Sequence, residues 1–251
     1  MKTDFIYNKL TEHGIASNTE QCEKLLRFYE LLVEWNEKMN LTAITDFEEA
    51  VMKHFVDSLA MFIPEIQKEV LKNISNDSDE KLRLIDVGSG AGFPGLPIAI
   101  IKDKWEVVLL ETLKKRTVFL EEVVKELNLS NVKVVWGRAE DFGQNKEYRE
   151  GFNLAVSRAV AALPVLSEFC IPFVKVNGKF IAYKGSAIEE EIESGRKAVK
   201  VLGAEIDSST DYEFSVGDEI NKHSLIIIRK VKKTEKKYPR KSGTPGKNPL
   251  S

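Results

Sequence analysis

An α/β fold, in which helices cover both faces of a mainly parallel sheet, is what the sequence of this 251-residue chain predicts. Two observations carry that prediction. From Leu82 onward short apolar runs alternate with amphipathic segments, and a glycine-rich loop stands directly behind the first run. The runs are "LRLIDV", "VVLLE" at Val107, "VKVVW" at Val132, "FNLAVS" at Phe152, "GKFIAYK" at Gly178 and "HSLIIIRKV" at His223. Between them "TLKKRTVFLEEVVKELNL" and "IEEEIESGRKAVKVLG" carry helical spacing. No fixed-period repeat is visible, which argues against a solenoid.

Three regions follow in order. Residues 1–70 form an N-terminal helical extension, with Leu25, Leu26, Tyr29, Leu32, Val33 and Leu41 recurring at helix-like spacing. Residues 71–231 hold the Rossmann-like α/β domain, entered through the polar boundary stretch "KNISNDSDEK" from Lys72 to Lys81. Residues 232–251 are a basic tail ending in the irregular "YPRKSGTPGKNPLS". From Arg229 to the end nine basic residues face the single Glu235, on a chain whose net charge is -2. That asymmetry suits a tail that meets phosphates, although a merely solvated tail has the same composition.

Composition narrows the class. With 43% hydrophobic and 30% charged residues the chain reads as a globular protein. Cys22 and Cys170 form no CxxC pair, so neither a disulfide framework nor a zinc site is indicated, and a reducing cytoplasm is expected. No window approaches the ~18 apolar residues of a membrane span, and the N-terminus has no signal-peptide pattern. The apolar faces of the N-terminal helices are accounted for by docking on the sheet, so a monomer is expected.

The loop "DVGSGAGFPGLP", starting at Asp86, can be read in two registers. Gly88, Gly90 and Gly92 give GxGxG, which suits S-adenosylmethionine. Gly90, Gly92 and Gly95 give GxGxxG, which suits NAD or FAD. A dinucleotide needs N–H donors at the following helix N-terminus to hold its pyrophosphate. Pro94 and Pro97 occupy that turn without an N–H. S-adenosylmethionine carries a sulfonium and no phosphate, so the prolines favour it, and Asp86 adds negative charge where that cation would lie. Gly95 is then a close-packing position. Glu111 ends the second run at the spacing that reaches ribose hydroxyls. "GRAEDF" presents Ala139, Glu140 and Asp141 to an adenine edge.

Other chemistries fit less well. The loop lacks the Lys-Ser/Thr ending of a Walker A cradle, and Ser89 is not centred in GxSxG. His54, Asp57 and Ser58 in "HFVDS" are too close on one helix to converge on a substrate atom, and are read as packing the helical layer on the sheet. His13 and His223 have no metal-ligand spacing, so no metal is assigned. Lys184, at the end of the fifth run, either reaches substrate or is a solvated strand-end lysine.

Together the motifs resemble the glucose-inhibited division protein B (RsmG) family, the bacterial small-subunit rRNA guanine-N7 methyltransferases. The resemblance spans nearly the whole chain: "WNEKMNLTAI", "HFVDSL", "LIDVGSGAGFPGLPIAI", "LLETLKKRTVFLEEV", "GRAED", "SRAVAALPVL", "YKG" and "YPRKSGTPGKNPL". It implies a class I S-adenosylmethionine-dependent methyltransferase fold with seven mainly parallel strands. Carried onto matching positions, it implies cofactor contacts at Gly88, Phe93, Glu111, Thr112, Leu113, Ala139, Glu140 and Arg158. Asp86 and Gly90 join them from the reading of the loop. Arg158 is placed at the cofactor pocket by the family, while its chemistry would equally let it steer RNA.

The implied partner is 16S rRNA in the small ribosomal subunit, methylated in the decoding-region loop. Arg240, Lys241, Lys247 and Lys184 are the expected RNA contacts, with Tyr238 as a stacking surface. Guanine N7 already exposes a lone pair, so no general base is required and none is assigned. An NAD-dependent oxidoreductase and a catalytically silent RNA-binding protein are the alternative readings.

Overall fold

The first strand, β1 (Arg83–Val87), is followed by β2 (Glu106–Glu111), β3 (Val132–Trp136), β4 (Phe152–Arg158), β5 (Val174–Gly185), β6 (Ala204–Val216) and β7 (Glu219–Lys230). They form one sheet in the order β3-β2-β1-β4-β5-β7-β6. This computed structural model describes residues 1–74, 81–186 and 188–250. Most of the polar stretch expected at 72–81 therefore lies outside the described residues. Strands β1 to β5 pair in parallel, and β7 runs antiparallel to both its neighbours. Six strands coincide with the apolar runs of the sequence. The exception, β6, is an edge strand whose polar residues alternate outward, so it offers no apolar run.

Helices cover both faces. The N-terminal layer holds α1 (Lys2–Glu12), α2 (Thr19–Met39), α3 (Phe47–Ala50), a π-helical turn (Val51–Val56), α4 (Asp57–Leu59), a 3-10 turn (Ala60–Phe62) and α5 (Pro64–Leu71). Beyond it come α6 (Gly95–Ile101), α7 (Lys114–Glu126), α8 (Ala139–Phe142), α9 (Leu163–Cys170), α10 (Glu189–Val201) and α11 (Thr244–Lys247). α2 starts sharply because Asn18 and Gln21 cap one another reciprocally, at 2.9 and 3.0 Å. It stops at Asn40, which takes the left-handed conformation at φ 48°.

Alternation along the strands deals side chains to two cores. Leu84, Leu109, Leu154, Ile181, Leu225 and Ile227 pack with the N-terminal layer, α6 and α7. Ile85, Val108, Ala155, Phe180, Ile226 and Ile228 pack with α9, α10 and Tyr238 from the tail. Phe93, just before α6, joins the helical layer to the glycine loop: its ring lies 5.1 Å from Phe28 and stacks on His54 at 4.4 Å.

The tail is irregular apart from the short α11, and it is docked on the α/β domain. Arg149 donates to the carbonyls of Thr234 and Tyr238, and Gln144 to that of Pro239. Arg240 forks onto Glu168, which is fully buried. A buried carboxylate left without its partner costs several kcal/mol, so this pair fixes the tail to α9. Tyr238 is buried, which withdraws it from the stacking role read from sequence.

Gly95 is the close-packing position the first register required. A Cβ there would lie 2.7 Å from Asp86 Oδ2 and 2.9 Å from Asp86 Cβ. Gly95→Ala is therefore expected to destabilise the fold by about 1–3 kcal/mol, as overpacking does, read as a lower urea midpoint at unchanged slope.

Candidate cofactor and acceptor site

The sheet order reverses between β1 and β4, and ligands of doubly wound sheets bind beyond the strand ends at such a switch point. The loop after β1 turns there through three glycines at positive φ, Gly88 (77°), Gly90 (58°) and Gly92 (97°). Glu111, at the end of β2, pins it. Its Oε2 accepts the Gly90 N–H at 2.8 Å, and its Oε1 accepts the Leu113 N–H at 2.8 Å and the Thr112 hydroxyl at 3.2 Å.

The start of α6 has no donors to spare. Gly95 N–H is taken by Asp86 Oδ2 at 2.9 Å and Leu96 N–H by the Gly92 carbonyl at 2.8 Å, while Pro94 and Pro97 have none. Gly88 and Ser89 donate to the Leu110 carbonyl. A pyrophosphate would find no helix-start N–H to hold it, which removes the structural basis of the dinucleotide reading.

Between the loop, the end of β2 and the start of α8 lies a cavity of about 370 Å³. Gly88, Glu111, Thr112, Leu113, Ala139 and Glu140 line it, as do Arg116, Arg138, Val160 and Phe169, which sequence reasoning missed. A carboxylate for ribose hydroxyls and an apolar slot beside Ala139 fit an adenosine-bearing ligand. Gly90 stands at its rim through the bond to Glu111.

Asp86, Phe93 and Arg158 are placed elsewhere. Asp86 is fully buried beneath the loop, and burial pushes its pKa up to about 7. The fixed negative charge expected of it is thus not presented to the cavity, because its carboxyl holds Gly95 inside the protein. Phe93 is likewise buried and wedged against His54. Arg158 lines a second cavity of about 720 Å³, together with Lys53, His54, Asp57, Lys184 and His223.

This second cavity adjoins the first, and Ala159 and Val160 line both. Ala159 sits at φ 57°, a conformation that side chains other than glycine rarely adopt and that clusters at functional sites. The π-helical turn brings His54, and the start of α4 brings Asp57, to the cavity, where sequence reading assigned them packing alone. Both also serve that packing. His54 Nε2 pairs with the Thr42 hydroxyl at 2.9 Å, and burial, assisted by Arg158, lowers its pKa to about 4. Lys184 Nζ donates to Glu191 at 2.5 Å and to the Ala161 carbonyl at 2.8 Å. Of the tail residues expected at RNA, Arg240 is committed to Glu168. Lys241 and Lys247 are exposed, without an ion pair among the described residues.

A glycine-loop cavity at the switch point of a sheet ordered 3-2-1-4-5-7-6 defines a class I methyltransferase fold. Solved structures share it: a Klebsiella pneumoniae protein assigned as an O-methyltransferase (TM-score 0.52, 12% identity, covering 88% of this chain and 95% of that one), and a Galdieria sulphuraria protein assigned as a sarcosine dimethylglycine methyltransferase (TM-score 0.51, 12% identity, covering 78% and 92%).

The chain belongs to the GidB family, rRNA small subunit methyltransferase G, whose family model matches residues 21–214. Ribosomal RNA small subunit methyltransferase G of Clostridium perfringens is 48% identical over 94% of each chain. That of Acetivibrio thermocellus is 46% identical over 95% of this chain and 92% of its own, and that of Lactococcus lactis is 44% identical over the whole of both. Among the described residues no helix is long and apolar enough to cross a membrane, and no group of three or more His, Cys, Asp or Glu could hold a metal ion.

Two expectations follow. Glu111→Gln turns one acceptor into a donor facing a backbone N–H, at a cost of about 1–3 kcal/mol, so S-adenosylmethionine should bind roughly ten- to hundredfold more weakly in calorimetric titration. Asp86 holds its proton in the fold up to about pH 7, whereas the unfolded chain releases it near 3.8, so Asp86 makes stability fall as pH rises between those values. Asp86→Asn does not titrate. Its stability relative to wild type should rise by about 1.4 kcal/mol per pH unit within that window and be flat on either side.

Proposed function

We propose that this member of a family of S-adenosylmethionine-dependent small-subunit rRNA methyltransferases methylates N7 of a guanine in 16S rRNA. The observation that carries the reading is the wall shared by the two cavities at Ala159 and Val160. It sets an adenosine-sized pocket beside a larger one whose lining includes Lys53, Arg158 and Lys184, as a methyl donor and an anionic polynucleotide require.

In this reading Glu111 accepts from the ribose, Ala139 and Glu140 flank the adenine, and Gly88 allows close approach of the chain. When bound, S-adenosylmethionine would supply an electrophilic methyl for the N7 lone pair, with a thioether as the leaving group. The protein's part is alignment. N7 needs no deprotonation, and no side chain need act as base; holding two reactants in line is worth roughly 7–11 kcal/mol of barrier. Lys241 and Lys247 are exposed on the tail, where phosphate contacts would add salt-dependent affinity.

Nucleoside mass spectrometry of small-subunit RNA from cells with and without the protein tests this. Loss of one 7-methylguanosine in its absence is expected. An unchanged nucleoside profile would overturn the reading and leave an RNA-binding protein without activity.

A further inference from the structure

The Asp57 carboxylate is buried, and both its oxygens are occupied. Oδ2 accepts from Arg158 Nη1 at 2.5 Å; Oδ1 accepts from the Tyr212 hydroxyl and from His223 Nδ1, each at 2.6 Å. Burial opposes its charge, but the hydrogen bonds from His223 and Tyr212 and the Arg158 guanidinium outweigh it and hold its pKa below the ordinary carboxylate value. An ionised carboxylate only accepts, so Nδ1 of His223 carries a proton, and in the neutral form of the ring Nε2 offers a lone pair.

The arrangement is rigid and faces the second cavity. Tyr212 and Phe214 meet the His223 ring edge-on, at interplanar angles of 83° and 84°. The Nδ1 edge is turned inward to Asp57, while the side chain is 32% exposed and lines the cavity. Among the described residues Nε2 has no partner. Among the described residues Arg158 spends only Nη1, on Asp57 and the Lys53 carbonyl, leaving Nε and Nη2 uncommitted, and its guanidinium lies over Phe93 at 5.1 Å. One carboxylate therefore holds both Arg158 and His223, one on each oxygen, and both line the cavity.

Resting on the reading above, we propose that Arg158 and His223 recognise the acceptor guanine, with Arg158 donating to O6 and His223 Nε2 accepting from N1–H. O6 lies beside N7, so this leaves N7 open toward the shared wall. Adenine inverts both groups: its N6 amino group would face the guanidinium and its N1 lone pair would face that of Nε2. A site built to hydrogen-bond one edge rejects an isostere that lacks it, because buried polar groups are left unpaired. Asp57 acts as the positioning residue, since it touches neither base nor donor.

The test measures methyl transfer by the full chain to 16S rRNA, free and reconstituted into subunits, with guanosine, inosine or 1-methylguanosine at the acceptor position. Wild type should use guanosine and inosine similarly, because both carry O6 and N1–H, and should lose about a hundredfold or more in kcat/KM on 1-methylguanosine. His223→Ala, assayed well below its lowered thermal midpoint, should lose about ten- to hundredfold on guanosine with S-adenosylmethionine affinity unchanged, and should narrow the gap to 1-methylguanosine. The inference is overturned if wild type treats 1-methylguanosine like guanosine, or if His223→Ala keeps full kcat/KM. If wild type transfers methyl to none of these RNAs, the functional reading itself fails, and the inference with it.

Discussion

A buried carboxylate has to be satisfied by groups delivered to it, and Asp57 draws those groups from three strands. Arg158 ends β4, Tyr212 lies on β6 and His223 on β7, while Asp57 belongs to the N-terminal layer. Removing one partner from such a cluster costs several kcal/mol, whereas hydrophobic contacts alone would let the layer slide. The register between helical layer and sheet is therefore set electrostatically. The apolar core then fills in around it: Phe93 lies against His54 and Phe28, and the Tyr183 hydroxyl donates to the Ser58 carbonyl at 2.8 Å.

The glycine loop selects its ligand by what it withholds as much as by what it offers. Its geometry is that of a nucleotide loop, but the N–H groups a phosphate would use are already spent on Asp86, Gly92 and Leu110. Asp86 is central to this economy. Largely protonated up to about pH 7, it serves as an internal strut for Gly95 instead of a surface charge. An uncharged strut tolerates burial better than an ionised one, which explains how the residue can sit beneath the loop at all.

Much of this was legible in the sequence, for reasons that can be traced. Central strands are apolar on both faces, so β1, β2, β4, β5 and β7 announced themselves as runs. β6 did not, because an edge strand with one wet face reads as polar. The cavity at the glycine loop was legible because its lining residues cluster just behind strand ends, at Gly88, Glu111 and Ala139. The Asp57 cluster was not, since Asp57, Arg158, Tyr212 and His223 are brought together only by the tertiary fold. The tail misled for a related reason. Composition shows Arg240 as a cation near the chain end, and only the fold supplies Glu168 beneath it.

The docked tail also touches the wall of the glycine-loop cavity from behind. Glu140, which lines that cavity, accepts the Gly243 N–H through Oε1 at 2.8 Å, and the neighbouring Asp141 accepts the Ser242 hydroxyl at 2.7 Å. The segment that bears the exposed Lys241 and Lys247 is thus a buttress for the wall that would meet the adenine. In the proposed reading, occupancy of the cavity and engagement of the tail would be coupled through Glu140, and such a linkage is reciprocal. A shortened chain would therefore report on both ligands at once, and its loss of RNA affinity could not be assigned to missing positive charge alone.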